Sequence, residues 1–133
     1  MKYVLIAGEA SGDLHASHLI KHIRENDPEA EFRFFGGDLM AAEARRNPDL
    51  HYNRMNVMGF SEVLRALPRI MANLRQAKAL LRTWRPDALV LVDYPGFNLM
   101  VAEYAKKSGI PVHYFISPKV WAWKEWRVRK IKK

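Results

Sequence analysis

The stretch that most limits what this chain can become is Tyr3-Val4-Leu5-Ile6-Ala7 running straight into Gly8-Glu9-Ala10-Ser11-Gly12-Asp13. A short apolar run is a buried strand, and the two glycines after it permit a tight turn or close backbone approach. Behind them Leu14 to Ile23 carries Leu19, Ile20 and Ile23 at helical spacing. Strand, glycine turn and helix N-terminus in that order make a ligand-binding arrangement of α/β proteins. The glycines are spaced Gly-x-x-x-Gly and no phosphate-loop lysine is present, so the loop is not a dinucleotide or mononucleotide fingerprint. Glu9 and Asp13 repel bare phosphate but accept hydrogen bonds from hydroxyls, which suits a sugar or another polyol. The alternative is that Ser11 or Asp13 merely caps the helix.

The same alternation continues along the chain. Glu31 to Phe35 reads as a second strand, and Asp38 as the cap of a short helix over 39–44. Asn47-Pro48-Asp49 breaks that helix, and 50–56 is irregular or briefly extended. Residues 58–64 open a helical region in which Pro68 starts or kinks a long helix to Trp84. Ala88 to Val92 is continuously apolar, the pattern of a strand covered on both faces. Asp93-Tyr94-Pro95-Gly96-Phe97-Asn98 follows, then a helix from about Leu99 to Lys107, a strand over 112–116, and Ser117-Pro118 as cap and first position of a final helix. Strands alternating with helices imply a parallel α/β sheet, whose ligands gather outside the carboxyl ends of the strands. The motifs 8–13, 93–98 and 117–123 stand there.

Composition narrows the function. With 133 residues, 49% of them hydrophobic, one domain with a real core is expected. No run is long enough to span a bilayer, no export signal precedes the first strand, and the absence of cysteine excludes disulfides and cysteine metal sites. A net charge of +8 favours polyanions: nucleic acid, anionic lipid or phosphorylated substrates. Arg65 to Arg85 holds six cations and no anion. There Ile70, Leu74, Ala77, Leu81 and Trp84 form an apolar stripe beside a basic one of Arg75, Lys78, Arg82 and Arg85. Such a helix either lies on an anionic membrane or, as the preferred reading, packs on the sheet with its charges in water. The tail 124–133, with six cations and Trp126, lacks any nucleic-acid-binding motif, so nucleic acid is a minor reading.

Asp93 is the strongest chemical candidate, because a carboxylate at the end of a buried strand is drawn out of water and becomes a stronger base. Asn98 adds an amide able to orient a hydroxyl. Glu62, beside Gly59 and Ser61, is a second carboxylate, or else a first-turn acid facing the helix dipole. His15, His18 and His22 share a helix face but are read as packing or solvent-facing rather than as metal ligands. No metal and no cofactor is expected.

Taken together, Gly8–Asp13, Met58-Gly59-Phe60-Ser61-Glu62-Val63-Leu64, Asp93–Asn98 and Ser117-Pro118-Lys119-Val120-Trp121-Ala122-Trp123 resemble lipid-A-disaccharide synthase, a bacterial glycosyltransferase family. The resemblance runs through essentially the whole chain, including Arg127 and Ile131. It implies a Rossmann-like parallel sheet with helices on both faces, the N-terminal half of a two-domain GT-B enzyme. On this reading 1–133 is an acceptor-side domain, the donor-nucleotide domain lies beyond it, and the fragment is inactive alone. The implied reaction moves a diacylated glucosamine from UDP to a second acylated glucosamine 1-phosphate, with inversion. Asp93 is then the base, Glu9, Ser11, Gly12, Asp13, Gly59, Glu62 and Asn98 line the acceptor side, and Ser117 and Trp121 shape the cleft. The lipid substrates revive the membrane reading of Arg75, Lys78, Arg82 and Arg85, and imply a cytoplasmic protein peripheral to the inner membrane, with a homodimer admitted. The competing hypothesis is a non-catalytic basic α/β module that binds anionic membrane or nucleic acid.

Overall fold

The computed structural model describes residues 1–55 and 60–116, and of residues 60–63 the backbone alone. The elements are β1 (Lys2–Ala7), α1 (Ala10–Asn26), β2 (Glu31–Gly36), α2 (Asp38–Ala44), β3 (Leu50–His51), a 3₁₀ turn (Tyr52–Arg54), α3 (Phe60–Trp84), β4 (Ala88–Val92), α4 (Pro95–Lys107) and β5 (Val112–Phe115).

The five strands form one sheet in the order β3-β2-β1-β4-β5, every neighbouring pair parallel. β1 lies at the centre, with Tyr3 opposite Phe32 on one side and Ala88 on the other. Strand alternation sends successive side chains to opposite faces, each with its own core. Leu5, Phe34, Val90 and Val92 meet Ala16 and Ile20 of α1 and Met40 of α2. Val4, Ile6, Phe35, Leu89 and Leu91 meet Leu74, Ala77 and Leu81 of α3 and Val101 and Ala105 of α4. All five residues of β4 are buried, as their unbroken apolar run requires. The fold is therefore Rossmann-like, a parallel sheet with two described helices on each face.

The short β3 is aligned by one carboxylate. Asp49 accepts from the Arg33 guanidinium at 2.7 and 2.9 Å and from the Phe34 amide at 3.0 Å, pinning the segment before Leu50 to β2.

Three boundaries differ from the sequence expectation, each for a local reason. α1 begins at Ala10, so Ser11, Gly12 and Asp13 are its first turn rather than a loop. α4 begins at Pro95, whose fixed φ suits the first helical position, so most of 93–98 is helix. α3 runs through Pro68 without a break. Its two halves differ. From Asn73 onward the helix is anchored by Leu74, Ala77, Leu80 and Leu81, whereas no side chain over 64–72 is buried. The stripe of Leu74, Ala77 and Leu81 is thus core, as in the preferred packed reading, and Arg75, Arg82 and Arg85 form an exposed rim beside it. Lys78 is half-buried, with its ammonium 5.6 Å from the Tyr104 ring centre.

Candidate functional site

In this strand order the chain leaves β1 toward β2 and leaves β4 toward β5, so the connections after β1 and β4 part and open a crevice between them at the carboxyl end of the sheet. Both connections are very short: Gly8 and Glu9 lead into α1, and Asp93 and Tyr94 lead into α4. Two helix N-termini therefore flank one gap.

The glycines serve close packing. A Cβ on Gly12 would stand 3.2 Å from Ala7 Cβ and 3.7 Å from the Val92 carbonyl, so the bare backbone lets α1 settle on the ends of β1 and β4. A Cβ on Gly8 would overlap the Tyr94 ring, which lies over the loop. Gly12 thus shapes the floor of the crevice rather than offering a polar contact. Glu9 is exposed and Ser11 half-buried at its lip. Glu9 is the N-cap residue of α1, but its side chain makes no capping bond.

Asp13 has a different place from the one expected of it. Its side chain is 3% exposed and reaches the start of α2, where Oδ1 accepts from the Gly37 and Met40 amides at 2.9 and 3.1 Å and Oδ2 from the Leu39 amide at 3.1 Å. Three of the amides that a helix start leaves without intrahelical partners are satisfied by a carboxylate from a neighbouring helix. Asp38, read as the cap of α2 from sequence, is instead its first helical residue, behind Gly37. Asp13 caps a helix, but α2 rather than its own.

Asp93 is also 3% exposed. It and Tyr94 both take left-handed backbone conformations, with φ of 50° at each. For residues with a Cβ this costs roughly 1–2 kcal/mol apiece, and surrounding bonds must hold it. The Asp93 amide donates to the Phe115 carbonyl at 2.9 Å. The Asp93 carbonyl accepts from the Tyr114 hydroxyl at 2.6 Å and from Asn98 Nδ2 at 2.9 Å. The same Asn98 amide lies 3.4 Å from the Ile6 and Val92 carbonyls. Asn98 is fully buried, so it braces backbone at the ends of β1 and β4 instead of presenting an amide to a hydroxyl. Tyr94 reaches across the crevice and donates to the Met55 carbonyl at 2.5 Å, tying the turn to the segment before α3.

Electrostatics marks the same spot. Burial, reinforced by the Asp93 charge, pushes the Tyr114 phenol far above its usual range. Burial also raises Tyr94, aided by the Glu9 charge and opposed by Arg69. Both phenols therefore act as protonated donors. The opposing effect of Arg69 shows that α3 brings a cation within electrostatic reach of the crevice.

The structure thus gathers Glu9, Ser11, Gly12, Asp93 and Asn98 around one gap, with Asp13 just behind it. Glu62 is in the first turn of α3, and Gly59, Ser117 and Trp121 lie outside the described residues, as does the expected final helix. His15, His18 and His22 are exposed on α1, along a groove of about 250 Å³ that they share with Leu19, Val92, Phe115 and Ile116. Sequence reading missed Tyr94, Tyr114 and Arg69. The signal for Tyr114 was the two-residue alternation of Val112 and Tyr114, which puts the tyrosine on the α4 face beside the end of β4.

Known proteins share this organisation. The chain is 46% identical over 133 residues to the lipid-A-disaccharide synthase of Alkalilimnicola ehrlichii, covering 98% of this chain and 34% of that protein. It is 48% identical over 124 residues to the synthase of Neisseria meningitidis serogroup C, covering 93% of this chain and 32% of that protein. The chain therefore spans about a third of the length of the curated relatives it matches. Among solved structures, a UDP-GlcNAc 2-epimerase from Neisseria meningitidis bound to UDP-GlcNAc superposes with a TM-score of 0.61 at 12% identity, covering 98% of this chain and 38% of that one. A second UDP-N-acetylglucosamine 2-epimerase gives 0.60 at 14% identity, covering 86% of this chain and 32% of that one. These two show a shared fold. The model of the lipid-A-disaccharide synthetase family matches residues 3–133, and this chain belongs to that family.

Proposed function

We propose that this chain forms the acceptor side of a two-domain glycosyltransferase of lipid A biosynthesis. The reaction transfers 2,3-diacylglucosamine from UDP to 2,3-diacylglucosamine 1-phosphate, giving the β-1′,6-linked disaccharide 1-phosphate and UDP. The observation that carries the reading is Asp93: a buried carboxylate on a constrained turn, at the crevice between β1 and β4.

In this mechanism Asp93 removes the proton from the acceptor 6-hydroxyl as that oxygen attacks the anomeric carbon of the donor. The bond between the anomeric carbon and the UDP oxygen breaks, and UDP departs with the electron pair. One displacement from the opposite side inverts the anomeric centre, and the proton ends on Asp93. Glu9 and Ser11 at the lip accept from sugar hydroxyls. Asp13, Gly12 and Asn98 contribute by shaping the crevice.

Acyl-chain-bearing substrates need apolar surface at the same end of the sheet. Leu14, Leu39, Leu99 and Met100, in the first two turns of α1, α2 and α4, are 42–48% exposed there. Leu64, Leu67 and Met71, on the 64–72 stretch of α3 that buries no side chain, are 44–56% exposed among Arg65 and Arg69. A stripe of that kind, with the exposed Arg75, Arg82 and Arg85 further along the helix, suits peripheral attachment to the anionic cytoplasmic face of the inner membrane. No described helix is long and apolar enough to cross a membrane.

The test is Asp93→Asn in a full-length synthase carrying this segment. General-base catalysis by a positioned group is worth ~10²–10⁴-fold, so kcat should fall by about 10³-fold while acceptor binding changes little. Turnover within a few-fold of the parent would end the assignment.

A further inference from the structure

We propose that Tyr114 is a positioning residue for Asp93, acting through the peptide backbone and not through the substrate. The inference rests on the reading of Asp93 as the base.

The strand β4 alone does not fix where the Asp93 carboxylate points. Its direction is set by the left-handed conformations of Asp93 and Tyr94, which residues with a Cβ leave readily unless they are held. Two side chains hold that turn by the Asp93 carbonyl, Asn98 at 2.9 Å and Tyr114 at 2.6 Å. They come from different elements: Asn98 from the helix after the turn, Tyr114 from the next strand. Asn98 is shared with the Ile6 and Val92 carbonyls, so its loss loosens both central strands. The Tyr114 hydroxyl donates to the Asp93 carbonyl and also engages the Asn98 side chain, so both of its partners belong to the turn and its brace. Tyr114 is half-buried and its ring packs against the α3/α4 core, so removing the oxygen leaves the ring's packing in place. The main-chain bond from the Asp93 amide to the Phe115 carbonyl also keeps β5 beside the turn, which holds the hydroxyl in register.

A base displaced by a fraction of an ångström from its hydroxyl loses rate before it loses binding, because the geometry is demanded only as the proton moves. Tyr114→Phe in a full-length synthase carrying this segment should therefore lower kcat by about 10- to 100-fold, with KM for the acceptor within about twofold. A group that acts only through Asp93 has nothing left to position once that carboxylate is gone. In an Asp93→Asn background, Tyr114→Phe should accordingly change the residual rate by less than about twofold.

The outcomes separate cleanly. An inactive Asp93→Asn beside a fully active Tyr114→Phe overturns the positioning role and leaves the base assignment standing. An active Asp93→Asn overturns both. Equal fractional losses from Tyr114→Phe in both backgrounds, with a matching fall in thermal midpoint, would make the tyrosine a general structural element and overturn the proposal. A kcat loss confined to the Asp93 background, with circular dichroism and midpoint close to the parent, supports it.

Discussion

Asp13 and Asp93 stand at the same end of the same sheet and are equally buried, yet the molecule uses them in opposite ways. At Asp13 the carboxylate organises backbone: it spends its oxygens on three amides and fixes the start of α2. At Asp93 backbone and neighbouring side chains organise the residue that bears the carboxylate, through bonds to its amide and carbonyl. A buried acid is therefore not informative by burial alone. What differs between the two is how the main chain is held, and the proposed base role of Asp93 rests on that difference.

The comparison can be broken most sharply through stability. Asp13→Ala leaves three amides at the start of α2 without acceptors in a buried place, and should cost about 2–4 kcal/mol of unfolding free energy, read by urea or thermal melts. Asp13→Asn keeps one acceptor oxygen and should cost about half as much. Asp93→Asn leaves every main-chain bond of its turn intact and should move stability by less than about 1 kcal/mol, although its kinetic effect is the largest expected of any change here. A melt in which the two aspartates cost the same would erase the distinction.

A smaller effect lies in pH. The folded state holds the Tyr114 and Tyr94 phenols above their ordinary values, chiefly by burial. Their contribution to stability is therefore complete below the unfolded phenol value of about 10 and is lost as pH rises through the higher folded values. Melting midpoints followed from about pH 9 to 11 should fall, and Tyr114→Phe should flatten that descent. An unchanged slope in the variant would mean that Tyr114 does not drive the alkaline limb.

Much of the fold is legible in the sequence. The apolar runs at Tyr3–Ala7, Glu31–Phe35 and Ala88–Val92 each became strands of the sheet, because local hydrophobic patterning and strand burial are the same physical fact. The packed reading of the 70–84 stripe held from Leu74 onward for the same reason, whereas Ile70 is half-buried and outside the core. Helix starts were less legible: α1 and α4 begin four residues before the expected points, since glycine and polar residues in a first turn look like loop in a sequence. At the site, Asp93 was legible because it follows a fully buried strand. Asn98 and Asp13 were recognised as important, but their partners are backbone groups of other elements, which no spacing along the chain reveals.

The sequence by itself determined that strands and helices alternate, that the polar motifs fall where parallel strands end, and to which family the chain belongs. All of these follow from patterning within a few residues, or from motifs kept in order. Only the tertiary structure decided which acid caps α2, which tyrosine braces the Asp93 turn, and that the first half of α3 leaves its leucines uncovered. The cap and the brace depend on contacts between residues 21 to 27 positions apart, and such contacts exist only once the sheet order has brought the strand ends together.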